Sequence, residues 1–326
     1  MKKFLLTVLA MGCMVAVHAQ NELVTAVLQT GDQVSVYNGV NAFISAYNEA
    51  TDGSTITLSN GTFSTPGTIQ KNVNVFGSGF ETIAEEGVST TIISGDLKYA
   101  SGSDETSLHD VKLEGVYVNG GLSVAQTSNM IVSKCGMNGF AVGGNNLEGV
   151  SVRQCYINGA INGSAFVAGL DFQNCFIRSK MNYLNDDAML LFNHCIIQSD
   201  QDYSHAKATY MNCIIGAGYR VNINSGSTVK HCIMEIGENG GNINEGNWPS
   251  TSMSTLFTDA TNLYYGADRT FTLAQPELYV GTDGTEVGIR GGSYPWNKVP
   301  TSPVVKNLEL EVNGATLNVT FDAQVR

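Results

Sequence analysis

One eight-residue pattern returns seven times between Val111 and Met234. Its copies read VKLEGVYV, MIVSKCGM, VSVRQCYI, LDFQNCFI, LLFNHCII, ATYMNCII and STVKHCIM. The sixth positions are Val116, Cys135, Cys155, Cys175, Cys195, Cys213 and Cys232, so the copies lie 19, 20, 20, 20, 18 and 19 residues apart. A period near 20 with so little drift indicates a repeat architecture, in which each unit stacks on the next.

Each copy contains two short runs of alternating apolar residues. In the third copy these are Val150 with Val152, and Cys155 with Ile157. Alternation is typical of a strand with one buried face, and the phase slips by one residue between the runs. The slip falls on polar pairs such as Arg153-Gln154, so we expect a corner there, where an Asn suits a left-handed backbone. Two strands and a return in ~20 residues predict one coil of a parallel β-solenoid.

The six repeated cysteines then form one inward column. Neighbouring coils bring their Cα atoms to about 4.8 Å, which is within disulfide range. Because the Cβ vectors run parallel, however, the Cβ atoms stay farther apart than the ~3.8 Å of a relaxed disulfide. We therefore expect buried, unreactive free thiols. The alternatives are weaker, since disulfide frameworks are typical of small secreted domains and zinc sites need CxxC or CxxxH spacing, which this sequence lacks.

The first 19 residues have the pattern of a secretion signal. Lys2 and Lys3 precede an apolar run over residues 4–17, and a VHA tripeptide follows before residue 20. The run is too short for a spanning helix. A loose lipoprotein box at Cys13 is the less favoured alternative. We expect a secreted or cell-surface protein that does not span the membrane.

The chain is acidic and poor in charge. Its formal net charge is -12, and removal of Lys2 and Lys3 takes it to -14. That charge excludes nucleic acid as a partner, because nucleic-acid binding needs a basic face. It also argues against simple adhesion to anionic lipid. A polysaccharide or a cell-surface protein is the partner we expect, and we expect the protein to be a monomer.

The repeats are flanked by segments of a different kind. Apolar residues at positions 40, 43, 44 and 47 fall on one helical face, and we expect a short helix that caps the first coil. The rhythm fails from Trp248, and the turn-rich stretch 281–292 is expected to wrap the C-terminal end. Alternating residues around Asn313-Gly314 predict a β-hairpin. The predicted organisation is a signal peptide over 1–19, a capped β-helix over 20–300, and a hairpin over 301–326.

Two stretches resemble a known family. DGSTITLSNGTFSTPGTIQKNVNVFGSG (52–79), followed by TTIISG (90–95), resembles the opening coils of secreted right-handed parallel β-helix proteins of the pectate-lyase-like superfamily. Residues 256–296 resemble the closing segment of bacterial groups of such proteins. The resemblance implies an all-β, right-handed parallel β-helix. In its pectinolytic members the outer face of one sheet does the chemistry, through an Arg or Lys base with Ca²⁺ in lyases or paired carboxylates in hydrolases.

Counting from the cysteine column predicts one charged cluster. Positions five and seven residues past successive cysteines place Lys180, Asp200, Asp202 and Arg220 on consecutive coils, with Tyr183 nearby as a ring on which sugars could stack. These five residues, together with the Asp186-Asp187 pair, form our predicted glycan-binding site. The competing interpretation is a solvated salt-bridge ladder with little consequence.

The pair Asp186-Asp187 resembles the DD element of polygalacturonase-type hydrolases, which also lies just before a strand. The other elements of that family, NTD, GHG and RIK, are absent from this sequence. Their absence puts hydrolysis in doubt. The alternative role of both aspartates is to accept hydrogen bonds from backbone amides in a turn.

Three functional hypotheses follow. The leading one is a non-catalytic exported β-helix that displays a surface for glycan or cell-surface protein binding. The first alternative is a polysaccharide lyase or glycoside hydrolase acting on acidic polysaccharide, with Ca²⁺ as the cofactor of a lyase. The second alternative is a structural spacer in a surface assembly. We assign no catalytic residue and no other cofactor from the sequence.

Overall fold

The structure is a computed structural model of the whole chain. It describes residues 24–102, 108–143, 147–163, 167–179, 181–182, 190–198, 208–216, 227–235, 242–243, 246–301, 304–313 and 316–324. The repeats form a parallel β-solenoid of about 7 turns, as the sequence predicts.

Two long sheets build the walls of the solenoid, with strands numbered in chain order. The described strands of the first sheet are β1 (Thr25–Thr30), β2 (Gln33–Asn38), β3 (Thr55–Leu58), β6 (Asn74–Phe76), β9 (Leu108–His109), β10 (Lys112–Glu114), β12 (Thr127–Ser128), β13 (Ile131–Ser133), β15 (Leu147–Arg153), β18 (Val167–Gln173), β21 (Leu190–Asn193), β23 (Ala208–Met211), β25 (Thr228–Lys230) and β27 (Asn242–Ile243). From β3 onward its neighbours pair in parallel, whereas β1 pairs antiparallel with both β2 and β3.

The second sheet is parallel throughout its described pairs. Its strands are β4 (Gly61–Ser64), β5 (Thr68–Ile69), β7 (Thr91–Ser94), β8 (Leu97–Ala100), β11 (Tyr117–Ala125), β14 (Gly136–Gly143), β16 (Tyr156–Ile157), β17 (Ile161–Gly163), β19 (Phe176–Ile177), β20 (Met181–Asn182), β22 (Ile196–Ile197), β24 (Ile214–Ile215) and β26 (Ile233–Met234). Three short 3₁₀ helices, Ala84–Glu86, Met253–Thr255 and Pro276–Leu278, lie among the described connections.

The corner between the two strands of each copy has the predicted left-handed backbone. The residue before each cysteine has a φ of 50° to 57°, at Lys134, Gln154, Asn174, His194, Asn212 and His231. Gly115 takes the same place before Val116, with a φ of 72°. The left-handed residue turns the chain so that both strands direct their apolar side chains inward.

The core consists of columns that run through the coils. The cysteine column is completely buried, and all six thiols are free, as predicted. Beside it runs an aromatic column in which Phe172 stacks on Phe192 with ring centroids 4.9 Å apart, and Phe192 stacks on Tyr210 at 5.1 Å. Each coil therefore places the same kind of side chain above its predecessor, which is why the 20-residue period is so strict.

The predicted cap is α1 (Ala42–Glu49), which packs Phe43 and Tyr47 into the first coil. Lys71 closes its C-terminus, because the ammonium donates hydrogen bonds to three carbonyls in the last turn, including that of Ala50 at 2.7 Å. The predicted apolar face is wrong at its start. Val40 precedes the helix and is 52% exposed, and Ala42 and Ala46 are buried on that face instead.

Residues 246–277 cover the outer face of the second sheet and form a second core there. The residue after each cysteine points outward, yet Phe176, Ile196, Ile214 and Ile233 are buried under Phe257, Leu263, Phe271 and Leu273. At the edge of this layer Tyr156 stacks on Tyr265 with centroids 3.8 Å apart. The sequence pattern leaves this position unassigned, because an outward residue is apolar only where a further layer covers it.

Residues 280–301, which we call the strap, run back along the corner line. Our expectation that 281–292 wraps the C-terminal end is wrong, because the corner side chains bind the strap one coil at a time. His231 contacts the carbonyl of Val280 at 2.9 Å, and Asn174 donates to the carbonyl of Gly291 at 2.7 Å. Further along, Gln154 donates to Pro295 and Lys134 to Val299. The strap therefore runs opposite to the coil order.

The predicted hairpin is present as β28 (Val304–Asn313) and β29 (Thr316–Gln324), an antiparallel pair. Its register sets Leu308 opposite Phe321 and Leu310 opposite Val319. Apolar residue types therefore share register positions across the pair, as the alternation indicates.

Candidate functional site

The predicted site residues lie outside the described part of the chain. These residues are Lys180, Tyr183, Asp186, Asp187, Asp200, Asp202 and Arg220. Their stacking therefore stays a prediction. A candidate site is formed instead by described residues.

That site begins with a column of polar residues, three positions after the cysteines. The column consists of Asn119, Asn138, Asn158, Arg178, Gln198, Gly216 and Glu235. Asn158 donates to Asn138 at 3.2 Å and accepts from Arg178 at 2.7 Å. Stacked coils space these side chains about 4.8 Å apart. Apart from Gly216, the column thus places one polar side chain on each coil along the solenoid axis.

A groove of ≈ 330 Å³ opens where this column meets residues 246–277, which we call the C-terminal layer. One wall carries Arg178, Gln198 and Glu235, and the other carries Ser252, Asn262 and Tyr264. The Tyr264 ring is 61% exposed, an unusual fraction for a large aromatic side chain next to a core. The groove therefore combines a free aromatic face with charged and amide side chains.

Gly216 makes room for the second wall. A Cβ at this position would lie 2.5 Å from a terminal methyl of Leu263, which is buried in the second core. The glycine interrupts a column of long polar side chains, so Leu263 can pack directly against the backbone of Gly216. Leu263 in turn fixes the loop that presents Tyr264.

Arg269 holds the same loop from the outside. Its guanidinium donates to the side-chain oxygen of Asn262 at 3.0 Å and also to the carbonyls of Asn262 and Tyr264. The guanidinium lies over the Phe271 ring, 4.8 Å from its centroid. Burial lowers the pKa of Arg269, and the nearby Asp259 carboxylate opposes that shift. Arg269 is therefore a positioning residue for the exposed Tyr264 ring.

Gln198 supplies an unused acceptor at the groove wall. Its side-chain oxygen is buried and has no hydrogen-bond partner among the described residues. An unpartnered buried oxygen costs about 1–3 kcal/mol, so such groups in native proteins call for a physical reason. A ligand with hydroxyl donors would provide one.

A second polar group lies on the outer face of the first sheet. Asp171 on β18 accepts a hydrogen bond from Gln173, while its Oδ1 is buried and has no partner in the part of the chain that the structure describes. Burial raises the pKa of Asp171, and the hydrogen bond from Gln173 and the charge of Arg153 offset this only in part. Arg153, one coil below, stacks on the Tyr294 ring at 4.4 Å. The sequence analysis did not single out Asp171 or Tyr294.

The two corner histidines belong to the scaffold. His194 is buried, and its ring nitrogens contact the carbonyl of Gly288 at 3.2 Å and the carboxylate of Asp283 at 3.0 Å. His231 is held by the strap in the same way. Within the described residues, no group of three or more His, Cys, Asp or Glu side chains is arranged to hold a metal ion.

The groove residues carry a weak signal in the sequence. Arg178, Gln198 and Glu235 share one register position, which can be counted from the cysteines. The position of Tyr264 relative to them follows from the packing of the C-terminal layer, for which the repeat gives no register. Gly216 stands among longer side chains in the column, and this glycine is the sequence feature that indicates where the C-terminal layer packs against the coils.

Together these features define a class: a parallel β-solenoid that is capped by a helix, fastened by its own C-terminal strap, and grooved on one side. Comparison with protein-family models, with curated proteins and with solved structures found no match for this chain. None of the described helices is long and apolar enough to cross a membrane.

Proposed function

We propose that this protein is an exported, non-catalytic glycan-binding protein whose groove holds a polysaccharide chain along the solenoid axis. The observation that carries the proposal is the groove itself, in which Tyr264 faces Arg178, Gln198 and Glu235. An aromatic ring offers a rigid apolar platform for a sugar ring, and the polar side chains suit its hydroxyls.

The repeat supports a polymer as the ligand. Arg178, Gln198 and Glu235 lie on different coils, so successive polar groups are spaced along the axis by multiples of about 4.8 Å. A glycan laid along that axis meets a new side chain on each coil it passes. The unpartnered oxygen of Gln198 would accept a hydrogen bond from a sugar hydroxyl.

Binding without turnover fits the described carboxylates best. Glu235 is the one acidic side chain among the described residues that line the groove, whereas glycoside hydrolysis needs a pair. Export is supported by Lys2, Lys3 and the apolar run that follows them. A location outside the cytoplasm would bring the groove into contact with polysaccharide.

A polysaccharide lyase or hydrolase is the second candidate function. Asp171 favours it, because a carboxyl with a raised pKa on the outer face of a sheet can act as a general acid. Arg153 beside it would pair with a uronate carboxylate. This site lies on the first sheet, so the two candidate functions make different residues essential.

The test is a polysaccharide screen of the purified protein, with acidic and neutral polymers, in the presence and absence of Ca²⁺. Binding, reducing ends and unsaturated products are followed in parallel. The proposal expects binding without product, and loss of that binding in Tyr264→Ala. Product formation that Asp171→Asn abolishes would replace the proposal with the enzyme. Absence of both binding and product would contradict both.

A further inference from the structure

The first sheet ends in a strand with an open edge. β2 pairs with β1 on one side, and no described strand lies on its other side. Val34 and Val36 on this strand are 61% and 58% exposed. They belong to the most exposed large apolar side chains among the described residues.

The hydrogen-bond pattern shows which backbone groups face outward. The N–H of Gly39 donates to the carbonyl of Val24 at 2.8 Å, which marks Gly39 and Val24 as a hydrogen-bonded pair. Such pairs alternate along an antiparallel ladder, so Ser35 and Tyr37 also direct their N–H and C=O groups to β1. The corresponding groups of Val34 and Val36 point to the open edge.

Among the described residues, this edge lacks the features that normally prevent strand addition. Natural edge strands carry Lys, Pro, a bulge or a covering segment. β2 reads QVSVYN, without a charge or a proline, and its register with β1 is regular. The far end of the second sheet is protected, because Trp248 pairs there with Ile233 and bonds the backbone of Cys232 and Met234.

We propose that β2 is a self-association surface, on which a second copy of this chain pairs antiparallel about a twofold axis through Ser35. In this register Val34 lies opposite Val36 of the second copy, and the outward N–H and C=O groups of both residues are satisfied. Residues i and i+2 share a face of a strand, so the four valines form one apolar cluster.

The strand itself favours a second copy over a different partner. An isologous twofold contact sets residue i opposite j and j opposite i, so the two exposed valines of each copy meet the valines of the other. The register places Asp32 opposite Asn38 of the second copy, so no like charges oppose each other on a chain of strongly negative net charge. Strand addition of this kind relies on main-chain hydrogen bonds, with side-chain pockets of secondary weight. The proposal replaces our expectation of a monomer.

Sedimentation of the purified protein over a concentration series tests the association. The expected result is a reversible dimer that Val36→Lys weakens at least tenfold, since two lysines would then enter the valine cluster. The matched control is Leu278→Lys, at a residue that is 53% exposed at the end of the 3₁₀ helix Pro276–Leu278, and this variant leaves the dimer unchanged. Circular dichroism shows whether both variants keep the native fold.

Cysteine cross-linking tests the register. Ser35 lies opposite Ser35 of the second copy in a non-hydrogen-bonded pair, with Cα atoms about 4.5 Å apart, so Ser35→Cys should form a disulfide-linked dimer on mild oxidation. In Gln33→Cys the two thiols are offset by four residues, about 13 Å, and should stay reduced. A monomer at every concentration, a dimer indifferent to Val36→Lys, or equal cross-linking of both cysteine variants would overturn the proposal. The first of these outcomes would assign the edge to a strand from another protein.

Discussion

Asn212 and Thr282 exchange two hydrogen bonds across 70 residues of sequence. The N–H of Thr282 donates to Asn212 Oδ1 at 2.8 Å, and Asn212 Nδ2 donates to Thr282 Oγ1 at 3.1 Å. Asn212 is buried and holds a left-handed backbone with a φ of 57°. One residue thus turns its coil and fastens the strap to it.

Removal of the Asn212 side chain should loosen the strap. Asn212→Gly keeps the left-handed corner but leaves the Thr282 N–H without its acceptor, so we expect the free energy of unfolding to fall by about 1–3 kcal/mol. A double-mutant cycle with Thr282→Ala, measured by urea denaturation, should give a coupling energy of about 0.5–3 kcal/mol.

The matched control for this cycle is Asn129→Gly. Asn129 has the same left-handed backbone, with a φ of 54°, but it is exposed and makes no contact with the strap among the described hydrogen bonds. We expect a change within about 0.5 kcal/mol there. Equal losses at Asn212 and Asn129 would contradict a specific stabilising role for the hydrogen bonds between Asn212 and Thr282.

Acid should release both ends of the strap. Burial acts to raise the pKa of Glu114, but hydrogen bonds from Lys112 and Thr301 outweigh it and hold that pKa below its ordinary value. The pKa of Asp283 is likewise lowered, because bonds from Thr285 and contact with His194 outweigh burial. Both folded pKa values lie below the unfolded ones. Their stabilisation is therefore complete above the unfolded values and is lost as pH falls through the folded ones.

The measurement is the urea midpoint between about pH 7 and pH 3, where the loss should concentrate below the ordinary carboxyl range near pH 4. Lys134 also faces Glu114, and its positive charge contributes to the same end of the strap. Glu114→Gln combined with Asp283→Asn should flatten the profile. An unchanged acid slope in that double variant would contradict the assignment.

The six cysteines of the column should not react with alkylating reagents in the folded protein. All six thiols are fully buried, and burial raises the pKa of Cys155, Cys195 and Cys232, which disfavours the reactive thiolate. Several thiols also donate to carbonyls of the preceding coil, as Cys195 does to Phe172 at 3.3 Å. Alkylation followed by mass spectrometry should label none of the six before denaturation and all six after it. Native labelling, or a disulfide between neighbours, would contradict this picture.

The aromatic column should carry a large share of the stability. Phe192 is fully buried between Phe172 and Tyr210, so Phe192→Ala should lower the free energy of unfolding by about 3–5 kcal/mol. Leu278→Ala, at an exposed residue, should change it by no more than about 0.5 kcal/mol. Comparable losses in the two variants would show that the column is not packed as described.

The solenoid was predictable because its physics is local and repeated. The period, the phase slip at Arg153-Gln154 and the polar corner residues together determine two strands, a corner and a buried thiol in each coil. The same corner residues carried no sign of the strap, since an Asn that bonds a distant carbonyl looks like an Asn that bonds water. The sequence therefore predicts that residue 281 lies at the end of the solenoid, whereas in the structure this residue lies along the side of the coils.

The candidate site was predictable only in part. Counting from the cysteines finds Arg178, Gln198 and Glu235 in one column. The opposite wall depends on how Leu263 packs against Gly216, a contact between residues 47 positions apart that no periodicity reports. Tyr264 looks like one aromatic among 13 tyrosines until that packing is known.

The most direct measurement is binding of the polysaccharide found in the screen to three proteins: the unchanged chain, Tyr264→Ala and Tyr294→Ala. Tyr294 is a matched control, because it belongs to the strap, where its ring contacts Arg153, and it does not line the groove. We predict that Tyr264→Ala weakens binding about 5- to 150-fold, as loss of about 1–3 kcal/mol of stacking would, whereas Tyr294→Ala binds like the unchanged chain. Equal binding by all three proteins, or loss confined to Tyr294→Ala, would contradict the assignment of the groove as the glycan site.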